Sequence, residues 1–318
     1  MIEYTIITPV YNREDCIARC IESVIKQLRG SESIEHIIVD DGSTDKTGQI
    51  AQRYSTRYPH IKFIAFQQNK GTNAARNAAI QAARGRFCIL LDSDDYFHDD
   101  ALKTICEITK NNEYKHYLFA PDDMVGKYAL NPKLNTDQCV LHFKDLLTGN
   151  VAGDFMHVVN SRIMKKYPFD EDLRIYEGVF FLRFYKEAKD ILFTNKIISI
   201  RDRNRPDSIT RTTVRTNKEI IKKTLTASNI KVEWFYNDFV ALGAEQELTD
   251  IFTSQLDNYL LLSDYVNARR VIDKLHKFHT DISIRHKLTY YLRLGPLYRI
   301  GLKLYLISKY NILKKKLQ

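Results

Sequence analysis

Hydrophobic and polar positions follow two alternating patterns over the first 120 residues. Short apolar runs typical of strands occur at "YTIITPVY", "EHIIVDD", "IKFIAFQ", "RFCILLD" and "HYLFAPDD". Segments with helical periodicity lie between them: "DCIARCIESVIKQL", "TDKTGQIAQRYSTRY", "GTNAARNAAIQAARG" and "DDALKTICEITKNN". Strands that alternate with helices of about 10–15 residues are typical of βαβ units. The pattern predicts an α/β domain with a mostly parallel sheet flanked by helices.

The pattern changes twice further along the chain. Residues 121–215 are less regular, and they end with one more strand pattern, "ILFTNKIISIRD". From about Asn217 the periodicity is helical. We therefore expect an α/β domain over residues 1–215 and a helical C-terminal region over residues 216–318. In the Ala-rich helix, we expect Gly85 to act as the C-cap.

Composition narrows the class of protein. The chain has 318 residues, of which 44% are hydrophobic and 27% charged, as in ordinary globular proteins. There is no uncharged apolar run long enough for a membrane-spanning helix, and "MIEYTIITPV" does not resemble a signal peptide. The five cysteines show no zinc-type spacing, and we interpret Cys16 and Cys20 as core residues of one helix. A cytoplasmic location is expected.

The net charge of +9 is concentrated at one end. From Arg285 onward there are nine Lys or Arg residues and no Asp or Glu, so the remainder has 39 basic and 39 acidic residues. This distribution favours a local anionic partner and argues against nucleic-acid binding. Two interpretations of residues 285–318 remain open. One is an amphipathic segment on an anionic membrane surface, and the other is a helix packed on the domain or on a second copy.

Polar tips follow the predicted strands: "TPVYN", "DDGSTD", "QQNKG" and "DSDD". Ligands of open α/β sheets bind at the carboxyl ends of the strands. These tips should therefore meet at one edge of the sheet, which is the predicted site.

The "DSDD" tip combines Asp92, Asp94 and Asp95 with a single intervening Ser93. Carboxylates this close repel one another unless a positive charge lies between them. They are suited to Mg²⁺ or Mn²⁺, which in turn bridges phosphates. The alternative is a solvated turn that caps the following helix.

The other tips have nucleotide-binding chemistry. The ring of Tyr11 can stack on a planar base, or it can simply cover the end of the strand. A carboxylate at Asp40 or Asp41 can accept a hydrogen bond from the N3–H of uracil. Lys70 and Arg76 lie at and beyond a helix entrance, where backbone N–H groups and cations favour a phosphate. Arg76 could equally be an exposed helix cation.

Four motifs, "TIITPVYNRE", "IIVDDGSTDKT", "NKGTNAARNAAI" and "ILLDSDD", occur in this order. Together they resemble the nucleotide-sugar-binding half of a family 2 glycosyltransferase with the GT-A fold, of the bacterial surface-polysaccharide type. The resemblance implies a donor such as a UDP-sugar, a divalent cation (Mn²⁺ or Mg²⁺) and transfer with inversion. It also implies a glycan or lipid-linked acceptor, reached by an enzyme peripheral to the inner face of the cell membrane.

The resemblance also assigns residues. It implies that Asp94 ligates the metal, that Asp92 approaches the ribose and is a second candidate ligand of the metal, and that Asp95 helps to position the donor or acceptor during catalysis. The residues expected to bind the nucleotide sugar in this half are Pro9, Tyr11, Asn12, Asp40, Asp41, Lys70, Arg76, Asp92, Ser93 and Asp94.

The acceptor side departs from the family pattern. "FDEDLRIYEGVFFLRF", residues 169–184, is similar to the acceptor-side helix, where Glu is usually followed by Asp and the Asp acts as general base. Here the pair reads Glu177–Gly178. We interpret Glu177 as the base. The alternative is that Glu177 only caps the helix or forms a salt bridge, while Asp154, Asp170, Asp172 or a substrate group takes the proton.

A second stretch, "RDRNRPDSITR", residues 201–211, is similar to a family loop that closes over the donor phosphates. It offers Ser208, Thr210 and Arg211 to a diphosphate, unless it is only a solvated basic loop. Two other functional classes stay open. Gly178 would suit a non-catalytic nucleotide-sugar-binding protein. A sugar nucleotidyltransferase would need a Gly-rich loop after the first strand, which "TPVYNRED" lacks.

Overall fold

The computed structural model describes residues 2–28, 33–110, 113–174, 176–202 and 217–316. The chain divides into two compact units, residues 1–206 and 207–318. The predicted domain boundary at residue 215 lies within 203–216, outside the described residues, and it stays a prediction.

The described residues of the first unit form one nine-stranded sheet. The sheet has the strand order β3-β2-β1-β4-β8-β6-β9-β5, and β7 pairs with β9. Its strands are β1 (Tyr4–Val10), β2 (Ile34–Asp40), β3 (Ile61–Ala65), β4 (Phe87–Leu90), β5 (Tyr96–Phe97), β6 (His116–Pro121), β7 (Gln138–His142), β8 (Met156–Asn160) and β9 (Asp190–Ile200).

Helices flank this sheet. A 3₁₀ turn at Asp122–Met124 follows β6. The helices are α1 (Ile17–Ile25), α2 (Thr47–Arg57), α3 (Thr72–Ala82), α4 (Ala101–Lys110), α5 (Val125–Tyr128), α6 (Phe143–Leu147), α7 (Ser161–Lys166) and α8 (Gly178–Ala188).

Strands β1 and β2 are buried along their whole length, which explains why apolar residues lie on both faces of each strand. They pair in parallel from Tyr4 opposite Ile34 to Val10 opposite Asp40. β4 pairs in parallel on the other side of β1, with Leu90 opposite Ile7. The polar tips after β1, β2 and β4 therefore emerge at the same edge of the sheet.

The sheet is mixed beyond β4. β8 runs antiparallel to both β4 and β6, and β5 and β7 run antiparallel to β9. The predicted α/β class is confirmed, with parallel pairing through β3, β2, β1 and β4. The antiparallel strands β7 and β8 come from the irregular stretch after residue 121, where each is only five residues long.

The prediction that Gly85 is a C-cap was wrong. Helix α3 ends at Ala82, and its C-cap is Ala83 in an extended conformation. A Cβ atom at Gly85 would lie 2.6 Å from the backbone nitrogen of Thr5. Glycine is needed here because the chain passes directly against β1, not because the helix ends in a left-handed turn.

The described residues of the second unit form five helices joined by short connections. The apolar side chains of Phe235, Phe239, Phe252 and Leu256 are buried in it. Among the described residues, no helix combines the length and apolarity needed to cross a membrane. The helices are α9 (Lys218–Ala241), α10 (Glu245–Leu262), α11 (Tyr265–Lys277), α12 (Ile284–Tyr291) and α13 (Gly295–Lys316).

Candidate active site

The loops after β1 and β2 are bonded to each other at the carboxyl edge of the sheet. Asn12, with a positive φ of 49°, accepts a hydrogen bond at Oδ1 from the backbone N–H of Thr44 at 2.8 Å. Its own N–H donates to Ser43 Oγ at 2.9 Å. Asp40, at the end of β2, accepts from the Ser43 N–H at 3.0 Å. These bonds give the two loops a single fixed arrangement.

Asp41 connects this arrangement to the start of α3. Its buried carboxylate accepts hydrogen bonds from the backbone N–H groups of Lys70, at 2.7 Å, and Gly71, at 2.8 Å. Gly42 follows with a φ of 72°, and a Cβ atom there would lie 2.6 Å from the backbone carbon of Gln68. Asp41 therefore shapes the "NKG" loop. Its predicted contact with a base would add to these bonds.

Three other predicted residues surround these loops. Pro9 is buried in β1, opposite Val39 of β2. The side chain of Tyr11 is 41% exposed, so its ring is accessible to a ligand. Lys70 is exposed, with Nζ 5.0 Å from the centre of the Phe66 ring.

Arg76 on α3 connects the "DSDD" tip to the N-terminus of α8. Its side chain is only 12% exposed. One terminal nitrogen lies 2.9 Å from Asp92 Oδ1, and the other lies 3.1 Å from Glu177 Oε1. Arg76 is therefore a buried cation between two carboxylates, and not the exposed helix cation that the sequence also allowed.

Electrostatics favour the charged forms of Arg76 and Asp92. Burial opposes charge on Arg76, but the carboxylates of Asp92 and Glu177 outweigh it and raise the arginine pKa. Desolvation likewise acts to raise the pKa of Asp92, but Arg76 outweighs it and lowers that pKa. The group is stable as a charged unit because each charge has an opposite neighbour.

Arg201, directly after β9, organises a second carboxylate group. Its side chain is 10% exposed, and one terminal nitrogen lies 2.6 Å from Asp154 Oδ2. Asp95 Oδ2 lies 3.7 Å from Arg201 Nε, and Asp123 Oδ1 lies 3.8 Å from a terminal nitrogen. Burial acts to lower the pKa of Arg201, but these carboxylates outweigh it and raise that pKa. The "DSDD" tip thus lies between two arginines, Arg76 and Arg201.

Helix α1 supports the "DSDD" tip from behind. The thiols of Cys16 and Cys20 contact the carbonyl oxygens of Ser93, at 3.6 Å, and Asp92, at 3.7 Å. Both cysteines and Ser93 are buried, which agrees with the interpretation of the thiols as core residues.

The predicted metal site depends on the carboxylates of the "DSDD" tip. Within the described ranges, no group of three or more His, Cys, Asp or Glu side chains is placed to hold a metal ion alone. A cation bound mainly through substrate phosphates and water needs only one or two protein carboxylates. The half-buried Asp94 and the half-exposed Asp92 provide this number. The residues therefore fit a cation that binds together with its substrate.

The stretch predicted to face the acceptor includes the N-terminus of α8. Glu177 is the N-cap residue of this helix, and Gly178 is its first residue. A Cβ atom at Gly178 would meet nothing within 4 Å among the described residues. The absence of a second carboxylate is therefore not imposed by lack of space. Of the alternatives, Asp154 is held by Arg201, and Asp170 accepts from the backbone N–H of Asp172 at 2.9 Å.

Helix α8 is anchored by a contact that the sequence did not indicate. The His157 ring stacks on Phe181 with a centroid distance of 3.8 Å, and its Nδ1 lies 3.1 Å from His116 Nε2. Burial, followed by the neighbouring His116 and cations, lowers the pKa of His157, so the ring is neutral. The stack fixes the helix that begins beside Glu177.

Sequence reasoning did not identify Arg201 as the partner of three aspartates. The sequence did contain one signal for such a partner. Carboxylates are in excess at several strand ends, and this excess requires a basic residue nearby. The predicted phosphate-binding residues Ser208, Thr210 and Arg211 lie outside the described residues.

The sequence of this chain is similar to those of known proteins. A family model described as "Glycosyl transferase family 2" matches residues 5–164. The minor teichoic acid biosynthesis protein GgaA of Bacillus subtilis is 31% identical over 196 residues, 56% of this chain and 42% of GgaA. The uncharacterized glycosyltransferase EpsJ of the same organism is 28% identical over 280 residues, 82% of this chain and 77% of EpsJ.

Two solved structures are similar in fold. S. aureus TarS 1–349 in complex with UDP-GlcNAc has a TM-score of 0.61 at 19% identity, covering 96% of this chain and 92% of that chain. The mannosyltransferase PcManGT of Pyrobaculum calidifontis, in complex with GDP-Man and Mn²⁺, has a TM-score of 0.57 at 14% identity, covering 98% and 83%. At these identities the likeness confirms the GT-A fold alone.

The present chain spans less than half of the length of GgaA. The family match nevertheless covers half of the chain, including β1, β2, β4 and the "DSDD" tip. On this basis the chain belongs to glycosyl transferase family 2.

Proposed function

We propose that the chain is an inverting glycosyltransferase that moves a sugar from a UDP-linked donor to a glycan or lipid-linked acceptor during surface-polysaccharide synthesis. The main supporting observation is the ion-paired group of Asp92, Arg76 and Glu177, which connects the family's donor-side loops to the start of the acceptor-side helix. The TarS structure with UDP-GlcNAc and the teichoic acid role in the name of GgaA support the donor and acceptor classes.

The donor occupies the carboxyl edge of β1, β2 and β4 in this proposal. Tyr11 stacks on the base because its ring is exposed. The loops held by Asn12 and Asp41 form the walls of the nucleotide site. Lys70, at the entrance of α3, lies close to the phosphates.

Asp94, with Asp92, would hold Mn²⁺ or Mg²⁺ together with the donor diphosphate. A cation bound there would neutralise negative charge on the departing diphosphate. The PcManGT structure with Mn²⁺ supports this part of the proposal. Ser208, Thr210 and Arg211 would add hydroxyls and a guanidinium to the same phosphates.

Glu177 is proposed as the general base. Its Oε1 is bonded to Arg76, which orients the carboxylate. An acceptor hydroxyl gives its proton to this carboxylate while its oxygen bonds to the anomeric carbon. The bond from that carbon to the diphosphate oxygen breaks with its electron pair on the oxygen. One displacement of this kind inverts the anomeric centre, and a positioned base contributes roughly 10²–10⁴-fold.

Asp95 is proposed to position the donor or acceptor sugar. It is buried, and its carboxylate lies beside Arg201. An anchored carboxylate accepts hydrogen bonds from sugar hydroxyls without losing side-chain freedom on binding. We propose a cytoplasmic enzyme that works at the inner face of the cell membrane.

The test is a panel of nucleotide sugars incubated with Mn²⁺, Mg²⁺ or EDTA, and with candidate acceptors. The variant is Asp94→Asn, and the exposed Asp99→Asn is the matched control. Turnover of one UDP-sugar that requires a divalent cation, is lost in Asp94→Asn and is kept in Asp99→Asn is the expected result.

Binding of UDP without turnover of any donor would instead support a non-catalytic nucleotide-sugar-binding protein. One observation favours this second candidate: Gly178 stands where the family usually supplies a carboxylate, although the described surroundings leave room for a side chain.

A further inference from the structure

Helices α12 and α13 present large apolar side chains to solvent. Eight such side chains lie within 22 residues, each between 52% and 76% exposed. We call them the apolar face: Ile284, Leu288, Tyr291, Leu292, Leu297, Ile300, Leu304 and Tyr305.

The positions have helical spacing. Ile284, Leu288 and Tyr291 are four and three residues apart on α12, and Leu297, Ile300 and Leu304 are three and four apart on α13. Residues at these spacings share one side of a helix. The exposed side chains therefore form a stripe on each helix.

The other side of α13 is docked. Tyr298 and Leu302 pack against a buried cluster of Ile221, Leu225 and Leu261 from α9 and α10. The exposure of the apolar face is therefore not the consequence of an undocked helix. α13 already has one buried apolar side and presents a second one to solvent.

Polar contacts fix both helices on α10. Asp257 accepts hydrogen bonds from Tyr298 Oη at 2.9 Å and from a terminal nitrogen of Arg285 at 3.0 Å. His286 Nε2 lies 2.9 Å from the same oxygen. Because α12 and α13 are held by a common aspartate, their outward stripes have defined orientations.

Along the sequence, α12 and α13 carry charges of one sign. From Arg285 to the end of the sequence there are nine basic residues and no acidic ones. Lys287 and Lys303 lie among the apolar positions and are exposed. Apolar and tyrosine side chains interspersed with lysines are typical of segments that lie in the interface of an anionic bilayer.

We propose that the apolar face of α12 and α13 binds the surface of an anionic lipid bilayer. Charge complementarity selects this partner, since phosphate headgroups offset the basic residues while the apolar side chains enter the acyl boundary. A second copy would bring two basic segments together, and like charges at an interface oppose association. A nucleic acid would leave the apolar side chains in water.

The inference extends the membrane location within the proposed function, and its test needs no donor or acceptor. The full chain is floated at physiological salt with vesicles of phosphatidylcholine alone or mixed with phosphatidylglycerol. The main variant combines Leu297→Gln, Ile300→Gln and Leu304→Gln. Its control combines the same change at exposed apolar positions elsewhere, namely Leu130→Gln, Val240→Gln and Val266→Gln.

We expect the unmodified chain to bind vesicles that contain phosphatidylglycerol. The partition coefficient of the main variant should be lower than that of the unmodified chain by roughly tenfold or more. Lys287→Gln with Lys303→Gln should lower binding by about fivefold for each lysine. The control variant should bind as the unmodified chain does.

Equal flotation of the unmodified chain and the main variant would overturn the proposal. So would a dimer that becomes monomeric in the main variant while neither protein floats, because the face would then join two copies. Turnover with a water-soluble acceptor, measured in parallel, reports on the transferase proposal independently of vesicle binding.

Discussion

Arg76 and Glu177 form a 3.1 Å ion pair across 101 residues of sequence. Through it the carboxylate at the start of α8 is held at a fixed place relative to the "DSDD" tip, because the same guanidinium binds Asp92 at 2.9 Å. The candidate site is therefore built on an arginine that is itself buried.

Glu177→Gln tests the proposed base directly. Glutamine keeps a similar shape but cannot take the acceptor proton, so we expect kcat to fall roughly 10²–10⁴-fold with little change in KM. Glu187→Gln, on the same helix α8, should change kcat by less than twofold or so. A loss of less than about tenfold in Glu177→Gln would remove this residue from the role of base.

Gly178→Asp uses the space beside Glu177. A Cβ atom at this position meets no described atom within 4 Å, and an aspartate in the first turn of α8 interacts favourably with the helix dipole. We expect the variant to fold and to be more stable by about 0.3–1 kcal/mol.

The catalytic effect of Gly178→Asp separates two explanations. If Glu177 is the base, activity should be retained and should still disappear in the double variant with Glu177→Gln. Activity that survives in the double variant would show that the added aspartate can itself take the proton. Steady-state kinetics of the single and double variants distinguish these results.

Arg201→Gln should destabilise the first unit. It removes the guanidinium that Asp95, Asp123 and Asp154 share, and neighbouring carboxylates repel one another more strongly once the cation between them is gone. We expect a loss of about 2 kcal/mol in the free energy of unfolding, less than for a fully buried pair because Asp154 is exposed. Urea titration measures it.

The control for this variant is Arg19→Gln, which removes a half-exposed ion pair with Asp202 and should cost at most about 1 kcal/mol. Adding Asp154→Asn to Arg201→Gln should restore part of the lost stability, since it removes one of the repelling charges. Equal losses in Arg201→Gln and Arg19→Gln would contradict the proposed role of Arg201.

Two buried histidines predict acid sensitivity. Burial lowers the pKa of His36 and of His116 to about 3, below the value of about 6.5 in an unfolded chain. The unfolded state therefore binds more protons below pH of about 6.5, and stability is lost as the pH falls. Each histidine adds a slope of about 1.4 kcal/mol per pH unit.

Urea unfolding between pH 7.5 and 5 measures this slope. His116→Gln should reduce the slope by about 1.4 kcal/mol per pH unit, the contribution of one proton. His98→Gln, at an exposed position, is the comparison and should leave it unchanged. A slope that is the same in all three proteins would show that His116 is already charged in the folded state.

The sequence predicted the parallel part of the sheet well because the local pattern determines it. β1 and β2 are buried along their whole length, so apolar residues lie on both faces of each strand, and their polar tips mark the edge of the sheet. The loop residues Asn12, Asp41 and Lys70 were correctly placed at this edge for the same reason.

The partners of the charged residues were not predictable. Arg76 pairs with residues 16 and 101 positions away, and Arg201 reaches Asp154, which is 47 positions away. No periodicity encodes such contacts, since they arise only when β4, β8, β9 and α8 assemble. The short antiparallel strands β7 and β8 were not predicted for a similar reason. The strand conformation of each depends more on pairing with its neighbours than on its own sequence pattern.

Because α1 contacts the back of the "DSDD" tip, the rate at which its buried thiols are labelled should report how often the two separate. Cys16 and Cys20 are buried, whereas Cys106 and Cys139 are partly exposed. Cys20 is fully buried, and burial raises the pKa of its thiol far above the usual value. A thiol reagent should therefore react with Cys20 only when α1 separates from the loop. The labelling rate of Cys20 is then set by the frequency of these openings. A ligand that makes the openings rarer should slow the labelling of Cys20 without changing the labelling of Cys106.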